Sequence, residues 1–70
     1  MKAWQAEIRF GMLCKESGFN RGDHIIFKGF DGEDIYGTIV NISDMDTHFR
    51  VRTDDGNGWH VDPSNMVYAD

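Results

Sequence analysis

The chain has 70 residues, enough for one domain with a thin hydrophobic core and little room for a deep pocket. Seven Lys and Arg residues face twelve Asp and Glu residues, and the formal net charge of −5 disfavours a nucleic-acid module, because such modules usually carry a basic excess. The single cysteine, Cys14, excludes an internal disulfide, and no stretch approaches the roughly 18 apolar residues of a membrane span. We therefore expect a cytoplasmic protein that does not enter a membrane.

Residues 4 to 14 alternate between apolar and polar side chains. This period of two predicts a half-buried strand. A helix remains the alternative, because Ala, Gln, Glu, Met, Leu and Lys in this segment are good helix formers. The apolar positions are Trp4, Ala6, Ile8, Phe10, Met12 and Cys14, and only Leu13 breaks the alternation. Residues 15 to 23 have no apolar period and are expected to form a loop.

The stretch from residue 22 to 68 has the pattern of several short antiparallel strands joined by tight turns. Runs of Ile, Val, Phe, Tyr and Thr alternate there with Asp-Gly and Asp-Asn clusters. Gly37 predicts a bulge or a bend near the start of the longest run. Pro63-Ser64-Asn65 predicts a single 3₁₀ turn, because Pro cannot donate a ladder hydrogen bond. Strands are predicted at 24–30, 35–43, 48–53, 59–62 and 66–69, and turns at 31–34, 44–47 and 54–58.

These elements predict an all-β fold, a small barrel of five or six short antiparallel strands with an N-terminal extension that is a strand or, as the alternative, a helix. Closure into a barrel is the economical way for so short a chain to hide its sheet edges. We expect residues 1–70 to form a single domain. Residues 1–21 would be the N-terminal extension and loop, and residues 22–70 would be the barrel.

Two local patterns resemble SH3-like small barrels. The sequence GWHVDPSNMV at residues 58 to 67 is similar to the end of an SH3 domain, where a Pro-Ser-Asn turn leads into the closing strand. Residues 31 to 66 resemble a Tudor or KOW module, with YGTIV at 36–40 and FRV at 49–51 standing for the paired central strands. The resemblance implies an SH3-like fold, and it places Pro63 and Asn65 at positions of the SH3 groove.

The sequence contains no pattern typical of a catalytic or metal site. His24, His48 and His60 lack zinc-ligand spacing. The acidic residues cluster in predicted turns, where Asp is common because its side chain bonds to nearby backbone, and they match no calcium loop. Cys14 is expected on a buried strand face, where thiols are inert. We expect no enzymatic activity, no cofactor and no metal.

A positive stripe is predicted on one strand. Arg50 and Arg52 share a face with His48, and cross-strand neighbours would add His60 and Lys28. Two interpretations stay open. The arginines either pair with surface acids, which contributes little, or anchor a partner that carries carboxylates or phosphates.

The aromatic residues divide between core and surface. Phe27, Phe49 and Trp59 are expected in the core. The pattern does not fix the facing of the other aromatic residues considered, which are Trp4, Phe19, Phe30, Tyr36 and Tyr68. Aromatic residues and Arg are frequent anchors of protein interfaces. The predicted partner-binding residues are Tyr36, Arg50, Arg52, Trp59, His60, Pro63 and Asn65.

The function expected from this combination is non-catalytic binding of a protein partner by a small accessory or regulatory module. One alternative is a KOW-like nucleic-acid-binding module that uses Arg50 and Arg52, although the net charge disfavours it. Another is an acidic inhibitor, of phage or plasmid type, that occupies a nucleic-acid site on a partner protein. The acidic turns motivate this last hypothesis.

Overall fold

The protein consists of one helix followed by five short strands. A computed structural model describes residues 2–45 and 47–69. The strands form a single antiparallel sheet in the order β4-β3-β2-β1-β5. The elements are α1 (Ala3–Ser17), β1 (His24–Lys28), β2 (Asp34–Ile42), β3 (Phe49–Thr53), β4 (Gly58–Val61), a 3₁₀ turn (Pro63–Asn65) and β5 (Met66–Tyr68).

The preferred prediction of a strand at residues 4–14 is wrong, because this segment lies within α1, and the alternative, a helix, is found instead. The protein is mostly β, a five-stranded antiparallel sheet with one helix. Ala6, Phe10, Leu13 and Cys14 recur at helical spacing and contact the sheet, with Phe10 and Leu13 buried. Leu13, the one residue that breaks the alternation, is therefore a core contact of the helix.

The other apolar residues of α1 lie on its opposite face. Trp4, Ile8 and Met12 follow each other at intervals of four residues and are exposed to solvent. The alternation in the sequence thus combines two separate helical faces, only one of which packs against the sheet. Helix propensity, which kept the helix open as the alternative, gives the correct structure here.

Gly18 ends the helix. Its backbone is left-handed, with φ of 83°, and its N–H donates to the carbonyl oxygen of Cys14 at 2.9 Å. Beyond it, the Arg21 guanidinium binds the Glu7 carboxylate at 2.9 Å and lies 4.5 Å from the centre of the Phe10 ring. These contacts hold the loop against the helix.

The five predicted strands and the 3₁₀ turn at Pro63–Asn65 are confirmed, with strand ends within two residues of those expected. The irregularity expected near Gly37 lies instead between Ile39 and Asn41, where the β2–β3 register shifts. Gly37 has a different role, because a Cβ there would collide with the side chain of Val51. The predicted turn at 44–47 includes Asp46, which lies outside the described residues.

Closure into a barrel is not found. In residues 2–45 and 47–69, β4 and β5 are the two edges of the sheet and no ladder joins them. The chain crosses between them through the turn that begins at Pro63, which has no N–H for a ladder. The helix supplies part of the cover that closure would have given, since Phe10 and Leu13 pack on the inner side of the sheet.

The helix and the sheet share one hydrophobic core. The fully buried Phe49 lies at its centre and makes edge-to-face contacts with the rings of Phe10 and Phe19, at centroid distances of 5.8 and 6.5 Å. The predicted burial of Phe27 and Phe49 is confirmed, whereas Trp59 is only half-buried.

Candidate functional site

The sheet has an inner side, packed against the core, and an outer face open to solvent. On β3, Val51 is fully buried, so Arg50 and Arg52 on either side of it project outward. The register extends this assignment to the neighbouring strands. We call this solvent-facing side the outer face, and its main side chains are His24, Ile26, Tyr36, Arg50, Arg52, His60 and Val67.

The two arginines of the outer face stand among uncharged or basic neighbours. Arg50 lies between Asn41 and His60 in the register, and Arg52 lies between Thr38 and Gly58. Neither guanidinium forms an ion pair with any described residue. The interpretation that they pair with surface acids is therefore not supported within this part of the chain.

Only one acid occupies an outward ladder position on the described strands. It is Asp34, which lies opposite Lys28 and binds its ammonium group at 2.5 Å. The row next to this pair is apolar, with Ile26 opposite both Tyr36 and Val67. Tyr36 is 58% exposed. The outer face thus combines an apolar row, in which Tyr36 is the exposed aromatic residue, with a cationic stripe.

Trp59 lies on the other side of the sheet from the arginines. Its register partner is the buried Val51, and its ring centroid is 5.3 Å from that of Phe27. Because successive residues of a strand point to opposite faces of the sheet, Trp59 and His60 lie on different faces. The structure therefore brings together four predicted residues, Tyr36, Arg50, Arg52 and His60, and separates Trp59 from them.

Trp59 instead forms one wall of an open cleft with a volume of about 640 Å³. Phe30, in the turn between β1 and β2, stands beside it with a ring-centroid separation of 5.6 Å. Phe30 is 95% exposed. We call this the aromatic cleft, and its other lining residues include Lys28, His48, His60, Asn65 and Val67.

The turn that carries Phe30 is fixed by its own backbone hydrogen bonds. The N–H of Gly29 donates to the carbonyl of Glu33 at 2.8 Å, and the N–H of Gly32 donates to the carbonyl of Gly29 at 3.0 Å. Gly32 adopts φ of 79°, a conformation that favours glycine. The sequence pattern did not single out Phe30, although a lone aromatic residue inside a glycine-rich turn was a usable signal.

The polar lining of the aromatic cleft is mainly basic. Among the described residues one acid, Asp62, lines the cleft; it accepts hydrogen bonds from the backbone N–H and the hydroxyl of Ser64, each at 2.9 Å, and caps the 3₁₀ turn. These bonds, with a smaller contribution from the charge of His48, lower the pKa of Asp62. Pro63 does not line the cleft and lies on the helix side, beside Leu13.

The remaining titratable groups have structural surroundings. Burial raises the pKa of the half-buried Cys14 thiol, which makes it a poor nucleophile at neutral pH. Among residues 2–45 and 47–69, no three His, Cys, Asp or Glu side chains converge as metal ligands. No helix in the same residues is long and apolar enough to span a membrane.

Comparison with protein-family models and with curated protein sequences finds no match for the chain.

Proposed function

We propose that the protein is a non-catalytic protein-binding module whose aromatic cleft holds an apolar side chain from an extended segment of its partner. The observation that carries this proposal is the position of Phe30, almost fully exposed yet adjacent to Trp59 at the mouth of a cleft. Large apolar side chains displayed beside a concavity are frequent anchor points of interfaces.

The energetics of Phe30 and Trp59 support this proposal. Covering an exposed side chain of the size of Phe30 stabilises a complex by about 1.5–3 kcal/mol. The hydrogen-bonded turn holds Phe30 in place before binding, which reduces the entropy lost on association. Trp59 is supported from behind by Phe27 and presents a fixed wall to a ligand.

The rim of the cleft supports a partner of defined chemistry. His48 and His60 can donate hydrogen bonds to an acidic residue next to the apolar anchor of that segment, whereas Lys28, on the same rim, is already paired with Asp34. Asn65 adds an amide that can bond to the backbone of that segment. The strand order and the Pro-Ser-Asn turn support classification as an SH3-like fold, and the single cysteine supports cytoplasmic residence; both are parts of this proposal.

Selection from a random peptide library displayed on phage tests the proposal. We expect the protein to enrich peptides with one aromatic or large aliphatic anchor followed by an acid. Phe30→Ala should weaken binding of the selected synthetic peptides by about tenfold or more, measured by calorimetry. Tyr36→Ala is the matched control, because it removes an exposed aromatic ring from the outer face and should leave peptide affinity unchanged. Absence of a consensus, or wild-type affinity of Phe30→Ala, would contradict the proposal.

A further inference from the structure

Charge is segregated between the two sides of this acidic protein. The described acids lie on the helix, in loops and in turns, and Asp34 is the one that shares the outer side of the sheet ladder. The same side carries three cations and two histidines, which are Lys28, Arg50, Arg52, His24 and His60. A local basic field on a protein with a net charge of −5 is a property of the fold that the total charge conceals.

We propose that the outer face is a second binding surface and that it binds single-stranded nucleic acid through Tyr36, Arg50 and Arg52, none of which lines the aromatic cleft. Arg50 and Arg52 are next-but-one residues on one strand, so their Cα atoms are roughly 6–7 Å apart. Neither is tied to a carboxylate within the described residues. Each guanidinium group is therefore able to donate two parallel hydrogen bonds to the oxygens of a phosphate group.

Tyr36 gives the surface its preference for single strands. Tyr36 lies two residues before Thr38, the register partner of Arg52, and its side chain is on the same face of the sheet. It is 58% exposed, and Ile26 lies opposite it on β1. A flat ring beside a cationic stripe provides stacking for a base and neutralisation for the backbone, the combination that single-stranded nucleic acids need. A duplex hides the faces of its bases, and an acidic peptide has no equivalent need for the ring of Tyr36.

The acidic remainder of the molecule does not prevent such binding. Exposed charges farther apart than about 8 Å are largely screened at physiological ionic strength. The helix acids lie on the side of the sheet opposite the outer face, since α1 packs on the inner side. For single strands, the logarithm of the binding constant falls by about 0.7 per phosphate contact for each tenfold rise in salt. Two phosphate contacts therefore imply that a tenfold rise in salt weakens binding by about 25-fold.

Fluorescence anisotropy with a labelled oligothymidylate of about 15 nucleotides tests this proposal, at salt concentrations from about 20 to about 200 mM. We expect binding at low salt that weakens by about 25-fold for a tenfold rise in salt. The double variant Arg50→Gln/Arg52→Gln should bind at least about tenfold more weakly at low salt. Lys2→Gln/Lys15→Gln, which changes the net charge equally at the two ends of α1, should bind like the wild type.

Two further variants separate the possible outcomes. Tyr36→Ala should weaken oligothymidylate binding by about tenfold through lost stacking, whereas Phe30→Ala should not change it. A labelled oligoglutamate peptide of similar length is the competing probe. The proposal is overturned if oligothymidylate fails to bind at low salt, or if both double variants lose affinity equally. It is also overturned if oligoglutamate binds as tightly and Tyr36→Ala has no effect, which would assign the face to an acidic protein segment.

Discussion

Phe30, in the β1–β2 turn, and Trp59, on β4, have their ring centroids 5.6 Å apart at an interplanar angle of 40°. Trp59 also contacts the buried Phe27, whereas Phe30 is 95% exposed. One ring therefore belongs partly to the core, and the other is displayed to solvent. Because of this asymmetry, truncating Phe30 should affect binding, whereas truncating Trp59 should also affect packing.

Phe30→Ala and Trp59→Ala should differ in their effect on stability. Phe30→Ala removes little buried area and should change the free energy of unfolding by less than about 0.5 kcal/mol. Trp59→Ala removes the support that Trp59 gives Phe27 and should destabilise the protein by about 2 kcal/mol. Urea denaturation followed by circular dichroism measures both. Equal losses for the two variants would show that Phe30 is a structural residue.

Phe49→Ala should remove a large part of the protein's stability. Its ring is completely buried and contacts Phe10 and Phe19, so truncation should cost about 3–5 kcal/mol. A domain of this size has a total stability of only about 3.5–10 kcal/mol. Tyr36→Ala, an aromatic truncation on the outer face, is the control and should stay within about 0.5 kcal/mol of the wild type. A cooperative, near-native unfolding transition of Phe49→Ala would refute the described core.

The two apolar faces of α1 should respond differently to a charged substitution. Ile8→Glu should leave the free energy of unfolding within about 0.5 kcal/mol of the wild type, because Ile8 is exposed opposite the core. Leu13→Glu should abolish folding, since it places a charge among buried apolar side chains. If residues 4–14 formed a half-buried strand instead, Ile8→Glu would be the damaging change. Amide chemical shifts of the two variants settle which face is buried.

Acid should destabilise the protein through two turn carboxylates. The Thr53 hydroxyl and then the Asn57 N–H lower the pKa of Asp55, and the Ser64 N–H and hydroxyl lower the pKa of Asp62. A carboxyl whose pKa is lower in the folded state contributes stability above its ordinary pKa of 3.8. That contribution is lost as the pH falls below 3.8 through the lower folded value.

Asp62→Asn should therefore weaken the dependence of unfolding free energy on pH below about 4, while lowering stability at pH 7. Asp31→Asn makes the same charge change in the β1–β2 turn and serves as control. Denaturation at neutral and acid pH measures the difference. An unaltered acid dependence in Asp62→Asn would show that its capping hydrogen bonds do not stabilise the fold.

The strands were predictable because their signals are local. Alternation on β3 fixes that Arg50 and Arg52 share a face, and the Pro63 turn marks where the sheet ladder must end. The predicted neighbour His60 does lie opposite Arg50. The β2 neighbour of Arg50 was not predictable, because the register shift between Ile39 and Asn41 decides which residue lies opposite it. A period-two pattern could not reveal that shift.

The helix and the aromatic cleft escaped prediction for different reasons. In residues 4–14 two helical faces are both apolar, and together they imitate the period of a strand. The cleft depends on a contact between Phe30 and Trp59, two residues far apart in the chain. Local alternation places Trp59 on a face of β4 but cannot tell which turn approaches it.

Amide chemical-shift mapping with a library-selected peptide locates the protein-binding site on the molecule. We predict that the largest changes occur at Phe30, at the indole N–H of Trp59 and at Asn65, with Arg50 and Arg52 unaffected. Changes concentrated at the two arginines and Tyr36, with none at Phe30 or Trp59, would contradict the assignment of the aromatic cleft as the protein-binding site.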